Sequence, residues 1–197
     1  LQRVLTSFER LYGRYLQGLT WVNFGGGHHV TRDDYDLERL IRLINDFKKK
    51  YGVKVYLEPG EASVYHAGLL VSTVLDIVKN EMDIAIMDAS AETHMPDVLL
   101  MPYRPHVIDS AEPGVKEHTY RLAGPSCLAG DVVGDYSFDE PLRRGTRLLF
   151  TDMALYSIVK STTFNGIGLP DIAVLRKGGV VEIVRRFGYR DYRNRQS

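Results

Sequence analysis

The sequence predicts an α/β portion followed by a mostly antiparallel β domain. Two observations carry that expectation. From Leu19 to Leu57 a short apolar run, an amphipathic helix and a second short run follow one another. That is a strand–helix–strand unit, whose strands should be parallel. After residue 62 the texture changes to β-branched apolar runs separated by turns rich in Gly, Pro and Asp, the pattern of antiparallel β structure. The boundary falls near 62–66, which gives domains of 1–64 and 65–197. Two strands cannot close a sheet by themselves, and a barrel built from such units has eight. Most of the first domain is therefore expected to be missing.

Residues 1–17 place Val4, Leu5, Phe8, Leu11, Tyr12, Tyr15 and Leu16 at steps of three and four, one apolar face of a helix that Gly18 should end. Leu19 to Phe24 reads as a strand running into Gly25-Gly26-Gly27-His28-His29. Thr31 reads as the next N-cap, with Asp33 and Asp34 in the first turn, where negative charge suits the helix dipole. Leu37, Leu40, Ile41, Ile44, Phe47 and Tyr51 carry the helical period to Gly52. Lys48, Lys49 and Lys50 form a solvated, dipole-favourable last turn. Val53 to Leu57 is the second strand, closed by Glu58-Pro59-Gly60. Later strands are expected at 69–78, 82–88, 119–123, 146–151, 172–175 and 180–185. Asp135 and Asp139 read as solvated loop charges. The Arg-rich end, Arg185 to Arg195, interleaves Phe187, Tyr189 and Tyr192 and reads as a packed surface tail.

Bulk properties narrow the function classes. Of 197 residues, 44% are hydrophobic and 25% charged, an ordinary globular composition. Lysine plus arginine equals aspartate plus glutamate, 25 each, so charge gives no case for nucleic acid or an anionic membrane. The longest apolar runs, such as Ala67 to Leu75, are too short to span a bilayer. The single cysteine cannot form an intrachain disulfide, which suits a reducing compartment such as the cytoplasm. The chain opens on Leu1 in helix-like sequence and is expected to be a fragment or processed piece.

In parallel α/β architecture, function gathers at the C-terminal ends of strands. Gly25-Gly26-Gly27 and Glu58-Pro59-Gly60 both fall there. Three glycines can cradle a phosphate with backbone N–H groups or form a flexible turn. The spacing is not GxGxxG, so no dinucleotide claim follows. In Gly124-Pro125-Ser126-Cys127-Leu128-Ala129-Gly130-Asp131, the lone thiol has small neighbours and an acid four residues on. It is either a packed small hydrophobe or a group acting on a substrate whose cation Asp131 helps to hold. His28 and His29 are cofactor contacts or loop packing, and no further ligands support a metal site. His94 lies in a polar turn and reads as a surface residue or a substrate contact. Asp88 ends an apolar strand, a common turn position.

Taken in order, Gly25-Gly26-Gly27, Glu58-Pro59-Gly60, Gly124-Pro125-Ser126-Cys127 with Asp131, Asp152-Met153-Ala154-Leu155-Tyr156 and Phe164-Asn165-Gly166 resemble the fold-type III pyridoxal-phosphate decarboxylases. Those enzymes join an alanine-racemase-like (β/α)8 barrel to a C-terminal β domain. Within the family the likeness is greatest to the branch that decarboxylates carboxynorspermidine and carboxyspermidine. Asn23 to His29, Glu58 to Ala62, Met87 to Ser90, His94 to Asp97, Met101 to Pro105 and Phe187 to Tyr192 carry it.

The resemblance implies pyridoxal 5'-phosphate as cofactor and a homodimer with shared active sites. Gly25, Gly26 and Gly27 would cradle the cofactor phosphate, with His28 beside them and the Tyr156 hydroxyl on the same phosphate. Glu58 would face the pyridine nitrogen and hold its proton, which makes the ring a better electron sink. Cys127 would reach the partner subunit's site and protonate the carbanion left by decarboxylation. Asp131 would hold a substrate amine, Asp88 would line the pocket, and Phe164 would line it at the dimer interface. Many relatives carry arginine where this chain has Glu61, and the place of a second arginine matches Asp97. Exchanging cations for anions should favour an amine tail over a carboxylate tail. Charge-assisted hydrogen bonds contribute about 1.5–3 kcal/mol, roughly tenfold to a hundredfold in affinity. Leu128 stands where several relatives have an acid. The family's cofactor-binding lysine matches none of the lysines present, so the chain alone is expected to be inactive. Other basic amino-acid decarboxylases (ornithine, arginine, diaminopimelate) and a non-catalytic regulator are the alternatives.

Overall fold

The computed structural model describes residues 1–196. The chain forms two compact units, Leu1–Tyr65 and His66–Ser197.

In the first unit, helix α1 (Gln2–Tyr12) continues through a single 3-10 turn, Gly13–Tyr15. Strand β1 (Trp21–Asn23), helix α2 (Leu37–Tyr51) and strand β2 (Lys54–Tyr56) follow. The two strands pair in parallel, Val22 opposite Val55. Leu5, Leu16, Val22, Phe47 and Val53 form the buried core. Phe24 meets Phe8 and Phe47 edge to face, at 5.5 and 5.1 Å between centroids, the arrangement that ring quadrupoles favour. Gly52 adopts a left-handed φ of 69° and ends α2 as expected.

The expected cap at Thr31 is displaced. The cap of helix α2 lies five residues later, where the Asp36 carboxylate accepts the Arg39 N–H at 2.9 Å. Residues 28–35 instead form successive turns, with Val30, Arg32 and Tyr35 N–H groups bonded two or three residues back. The Thr31 hydroxyl points to Glu61 at 3.5 Å.

The second unit is built on a five-stranded sheet. Strands β3 (Leu70–Asn80) and β4 (Met82–Met87) form a hairpin. Short helices α3 (Ala91–His94) and α4 (Asp97–Leu100) follow. Then come β5 (His118–Ala123), β6 (Val132–Phe138) and β7 (Arg147–Phe150). The strand order is β6-β5-β4-β3-β7. Only the β4–β5 pairing is parallel, and it is the one whose connection passes through α3 and α4. Helix α5 (Tyr156–Lys160), the hairpin β8 (Ile172–Leu175) with β9 (Val181–Arg185), and helix α6 (Tyr189–Arg193) complete the chain.

Val74, Ala85, Met87, Leu122, Tyr136 and Phe150 sit at the centre of the sheet's core. Tyr136 is buried with its hydroxyl donating to the Pro105 carbonyl at 2.6 Å, and burial pushes its ionisation upward. Both sheet edges are covered, β7 by a bridge to Val107 and β6 by one to Ala111, which blocks edge-to-edge pairing.

Strand β6 corrects the reading of residue 135 and leaves Asp139 an exposed loop charge, as expected. Asp135 lies on β6, and Arg121 of β5 grips both its oxygens, at 2.8 and 3.0 Å. The register pairs the two residues directly. Asp139 just beyond the strand accepts from Lys116. Val-Val-Gly-Asp looks like a turn in sequence, yet Gly134 is there because its backbone passes Arg104, whose Cγ would lie 2.9 Å from an added Cβ.

Candidate functional site

Each unit presents one group of the expected site residues. In the first unit the group lies where β1 and β2 end. The Glu58 N–H donates to the Gly25 carbonyl at 2.8 Å, extending the ladder beyond both strands. Gly25 and Gly27 have φ of 70° and 77°, left-handed values that favour glycine. Gly26 is forced for another reason: a Cβ there would lie 2.7 Å from the Glu58 carbonyl oxygen. Asn23 fastens the arrangement. Its Oδ1 accepts the Gly25 N–H at 2.8 Å, and its Nδ2 donates to Glu58 Oε1 at 2.6 Å. By itself Asn23 was legible only as a strand end, although a short carboxamide next to a glycine run can accept from one backbone group and donate to another side chain at once.

His28 approaches the Tyr35 hydroxyl at 3.3 Å, and partial burial lowers its basicity. Glu61 is taken up locally: His29 Nδ1 lies 3.0 Å from its Oε2. With Thr31 on the other oxygen, Glu61 already has a cation-capable partner within its own unit.

In the second unit the exposed thiol of Cys127 tops a loop closed at its base by the Gly124 N–H to the Asp131 carbonyl, 2.8 Å. Gly124 is obligatory: an added Cβ would lie 2.2 Å from Asp131 Oδ2. The Cys127 N–H donates to Asn165 Oδ1 at 2.9 Å. Asn165 holds a left-handed φ of 56° within the Phe164–Gly166 turn, a conformation asparagine tolerates better than most residues. The structure thus joins Cys127 to the Phe164-Asn165-Gly166 motif.

Asp131 corrects an expectation. It is 3% exposed and accepts four hydrogen bonds: Ser90 Oγ, Ala91 N–H and Glu92 N–H on Oδ1, and Ser126 N–H on Oδ2. A carboxylate so buried and so occupied does not offer an oxygen to a substrate amine. His94 is likewise no surface residue. It is 4% exposed, and burial lowers its basicity.

Asp88 remains exposed at the end of β4, steadied by Ser72 Oγ and the Thr73 N–H, each at 2.7 Å from Oδ1. Asp97 pairs with Lys160 Nζ at 2.6 Å, and the same ammonium lies 4.5 Å from the Tyr156 ring centroid. Tyr156 and Phe164 are both exposed. The second unit therefore carries Asp97 and Tyr156 side by side on one lysine cation.

A glycine cradle on a glutamate at strand ends, and a thiol loop on a covered sheet, define a class. The family description "Pyridoxal-dependent decarboxylase, C-terminal sheet domain" matches residues 22–154, and the chain belongs to that family. Among individual proteins, the carboxynorspermidine/carboxyspermidine decarboxylase of Campylobacter jejuni is 45% identical over 98% of this chain and 53% of its own length. The carboxyaminopropylagmatine decarboxylase of Synechocystis is 46% identical over 99% and 51%. The crystal structure of the Campylobacter jejuni carboxynorspermidine decarboxylase complexed with norspermidine superimposes with a TM-score of 0.91, covering 98% of this chain and 56% of that one. The chain spans about half the length of the relatives it matches.

Proposed function

We propose that the whole protein decarboxylates a carboxylated polyamine, carboxynorspermidine or carboxyspermidine, with pyridoxal 5'-phosphate as cofactor. The observation that carries this reading is the likeness to the norspermidine-bound decarboxylase over 98% of the chain. The first unit is then the C-terminal part of an alanine-racemase-like (β/α)8 barrel. The second is the C-terminal β domain of a homodimeric cytoplasmic enzyme whose subunits share active sites.

The residues present suit the cofactor. The Gly25 N–H is taken by Asn23, and Gly26 and Gly27, unobstructed by side chains of their own, offer the backbone N–H groups of a phosphate cradle that Gly25 helps to shape. Tyr156 would add a hydroxyl to that phosphate, and His28 follows the glycine run in the chain. Glu58, oriented by Asn23, would hold the proton on the cofactor's ring nitrogen. When bound, the cofactor accepts the electron pair released as the carbon–carboxylate bond breaks. Cys127, exposed on its loop, would give its thiol proton to that carbon in the partner subunit's site and would regain one from solvent. Phe164 shields the pocket at the dimer interface, and Asp88 lines it. Glu61 and Asp97 would exchange His29 and Lys160 for a cationic tail, and a carboxylate tail in the same place would make an unfavourable like-charge contact.

A second reading is supported by the equal likeness to the carboxyaminopropylagmatine enzyme, whose substrate by its name shares the carboxyl head and differs in the tail. The test is a kcat/KM comparison of the full-length protein on carboxynorspermidine, carboxyspermidine, carboxyaminopropylagmatine, ornithine and diaminopimelate. A preference of at least about tenfold for a carboxylated polyamine is expected. A preference for ornithine or diaminopimelate would overturn the proposal.

A further inference from the structure

Helix α3 has four residues, yet hydrogen bonds reach it from both loops of the second site group. Its start holds the cysteine loop. Asp131 Oδ1 takes the Ala91 N–H at 2.7 Å and the Ser90 hydroxyl at 3.0 Å, while Oδ2 takes Ser126 N–H, next to Cys127, at 3.1 Å. Its end holds the Phe164 loop. The Thr93 carbonyl accepts Thr162 N–H at 2.8 Å. His94 Nδ1 accepts the Ser90 N–H at 3.1 Å, which leaves the ring proton on Nε2, 3.0 Å from the Gly168 carbonyl. The circuit closes where Asn165 receives the Cys127 N–H. Ser90 is 0% exposed, and so is Thr93. The links through Ser90, Thr93, His94 and Asp131 are shielded from water, which strengthens them, and the Thr93 hydroxyl and one Glu92 oxygen on this helix stay outside the circuit.

We propose that α3 is a clamp that fixes the thiol, with Asp131, Ser90 and His94 as positioning residues for Cys127. The proposal rests on the reading of Cys127 as proton donor. The clamp's logic is geometric. The thiol must meet one carbon, and a shift of about 1 Å in a reacting group can cost about a hundredfold. Cys127 itself is exposed on a loop, so its position is inherited: from Ser126 and Asp131 on one side, from Asn165 on the other. Both sides end on the same four-residue helix. Neither Asp131 nor His94 needs to touch substrate for this role.

Four variants of the full-length enzyme test it. His94→Leu removes both ring bonds. His94→Gln restores a donor toward the Gly168 carbonyl. Asp131→Asn replaces two acceptor sites by N–H groups facing donors. Asn165→Gly keeps the left-handed backbone and removes only the acceptor for Cys127, at an exposed position that folding tolerates. The readouts are kcat, KM and the rate at which iodoacetamide alkylates Cys127, followed on its peptide by mass spectrometry. We expect kcat to fall about tenfold to a hundredfold in His94→Leu, Asp131→Asn and Asn165→Gly. KM should stay within about threefold, and alkylation of Cys127 should change rate by about threefold or more. His94→Gln should recover most of the kcat lost in His94→Leu. Unchanged kcat and unchanged alkylation in Asn165→Gly and in either folded His94 variant would overturn the clamp. Cys127→Ala run in parallel separates the two readings. Normal turnover in it sinks the donor role, and the alkylation rates then decide the clamp alone. A large loss in it beside normal clamp variants sinks the clamp alone.

Discussion

Asn23 donates its amide to Glu58 at 2.6 Å while the same side chain accepts the Gly25 N–H. One residue thereby couples the glycine run to the carboxylate at the neighbouring strand end. Asn23→Asp keeps the acceptor and sets a second carboxylate against Glu58. Cofactor affinity, titrated by absorbance on the full-length protein, should weaken about tenfold, the scale of a lost charge-assisted bond. Asn23→Ala should show an intermediate loss. Wild-type affinity in Asn23→Asp would remove Asn23 from the site.

The thiol is the plainest test of chemistry. Cys127→Ala should lower turnover by about 10²–10⁴-fold, the usual share of a positioned proton donor, and leave the bound cofactor's absorbance unchanged. Near-normal turnover would contradict the assignment.

Gly124 is packed against a carboxylate. Gly124→Ala places a methyl 2.2 Å from Asp131 Oδ2, and Asp131 cannot yield without dropping several bonds. The substitution should destabilise the second unit by about 1–3 kcal/mol, the range for overpacking, visible as a lowered Tm. The same change at exposed Gly130, where an added Cβ meets nothing within 4 Å, should move Tm far less.

His94 predicts a pH dependence. Burial lowers its basicity, while the backbone bond to Gly168 and the charges of Asp88 and Asp131 pull the other way. The unfolded imidazole titrates near about 6.5. Above that value neither state binds the proton and stability is at its full value. As pH falls below it, the unfolded chain takes up protons that the folded chain refuses, so stability drops until the folded pKa is passed. Thermal melts of wild type and His94→Gln between pH 8 and 5 should converge as the pH falls. Parallel curves would show that His94 carries no such linkage.

The β framework was legible because burial writes itself into the sequence locally. Leu70 to Asn80 and Met82 to Met87 alternate or run apolar, and Gly52 could only end a helix. Strand β6 was hidden by Gly134 and Asp135, whose partners, Arg104 and Arg121, lie on other segments. The Thr31 cap lost to Asp36 because the Thr31 hydroxyl is drawn to Glu61, thirty positions away. The glycine run, Glu58 and Cys127 could be picked out by residue type and order. The burial of Asp131 and His94 could not, since it depends on contacts 40 and 74 residues apart in the chain and on a helix too short to show a period.

The Arg121–Asp135 fork has a consequence for how the chain folds. Register between β5 and β6 shifts at Leu122/Ala123, next to the segment that leads into the cysteine loop. A one-residue slip of β6 would invert its buried and exposed faces and carry Asp131 off α3. The two-point grip of Arg121 on Asp135 favours the native register over that slip. A thiol that depends on three distant stretches is then among the last groups to reach its place, because long-range contacts form late. During refolding, hydrogen-exchange protection of the Cys127 amide, bonded to Asn165, should lag behind the return of the sheet.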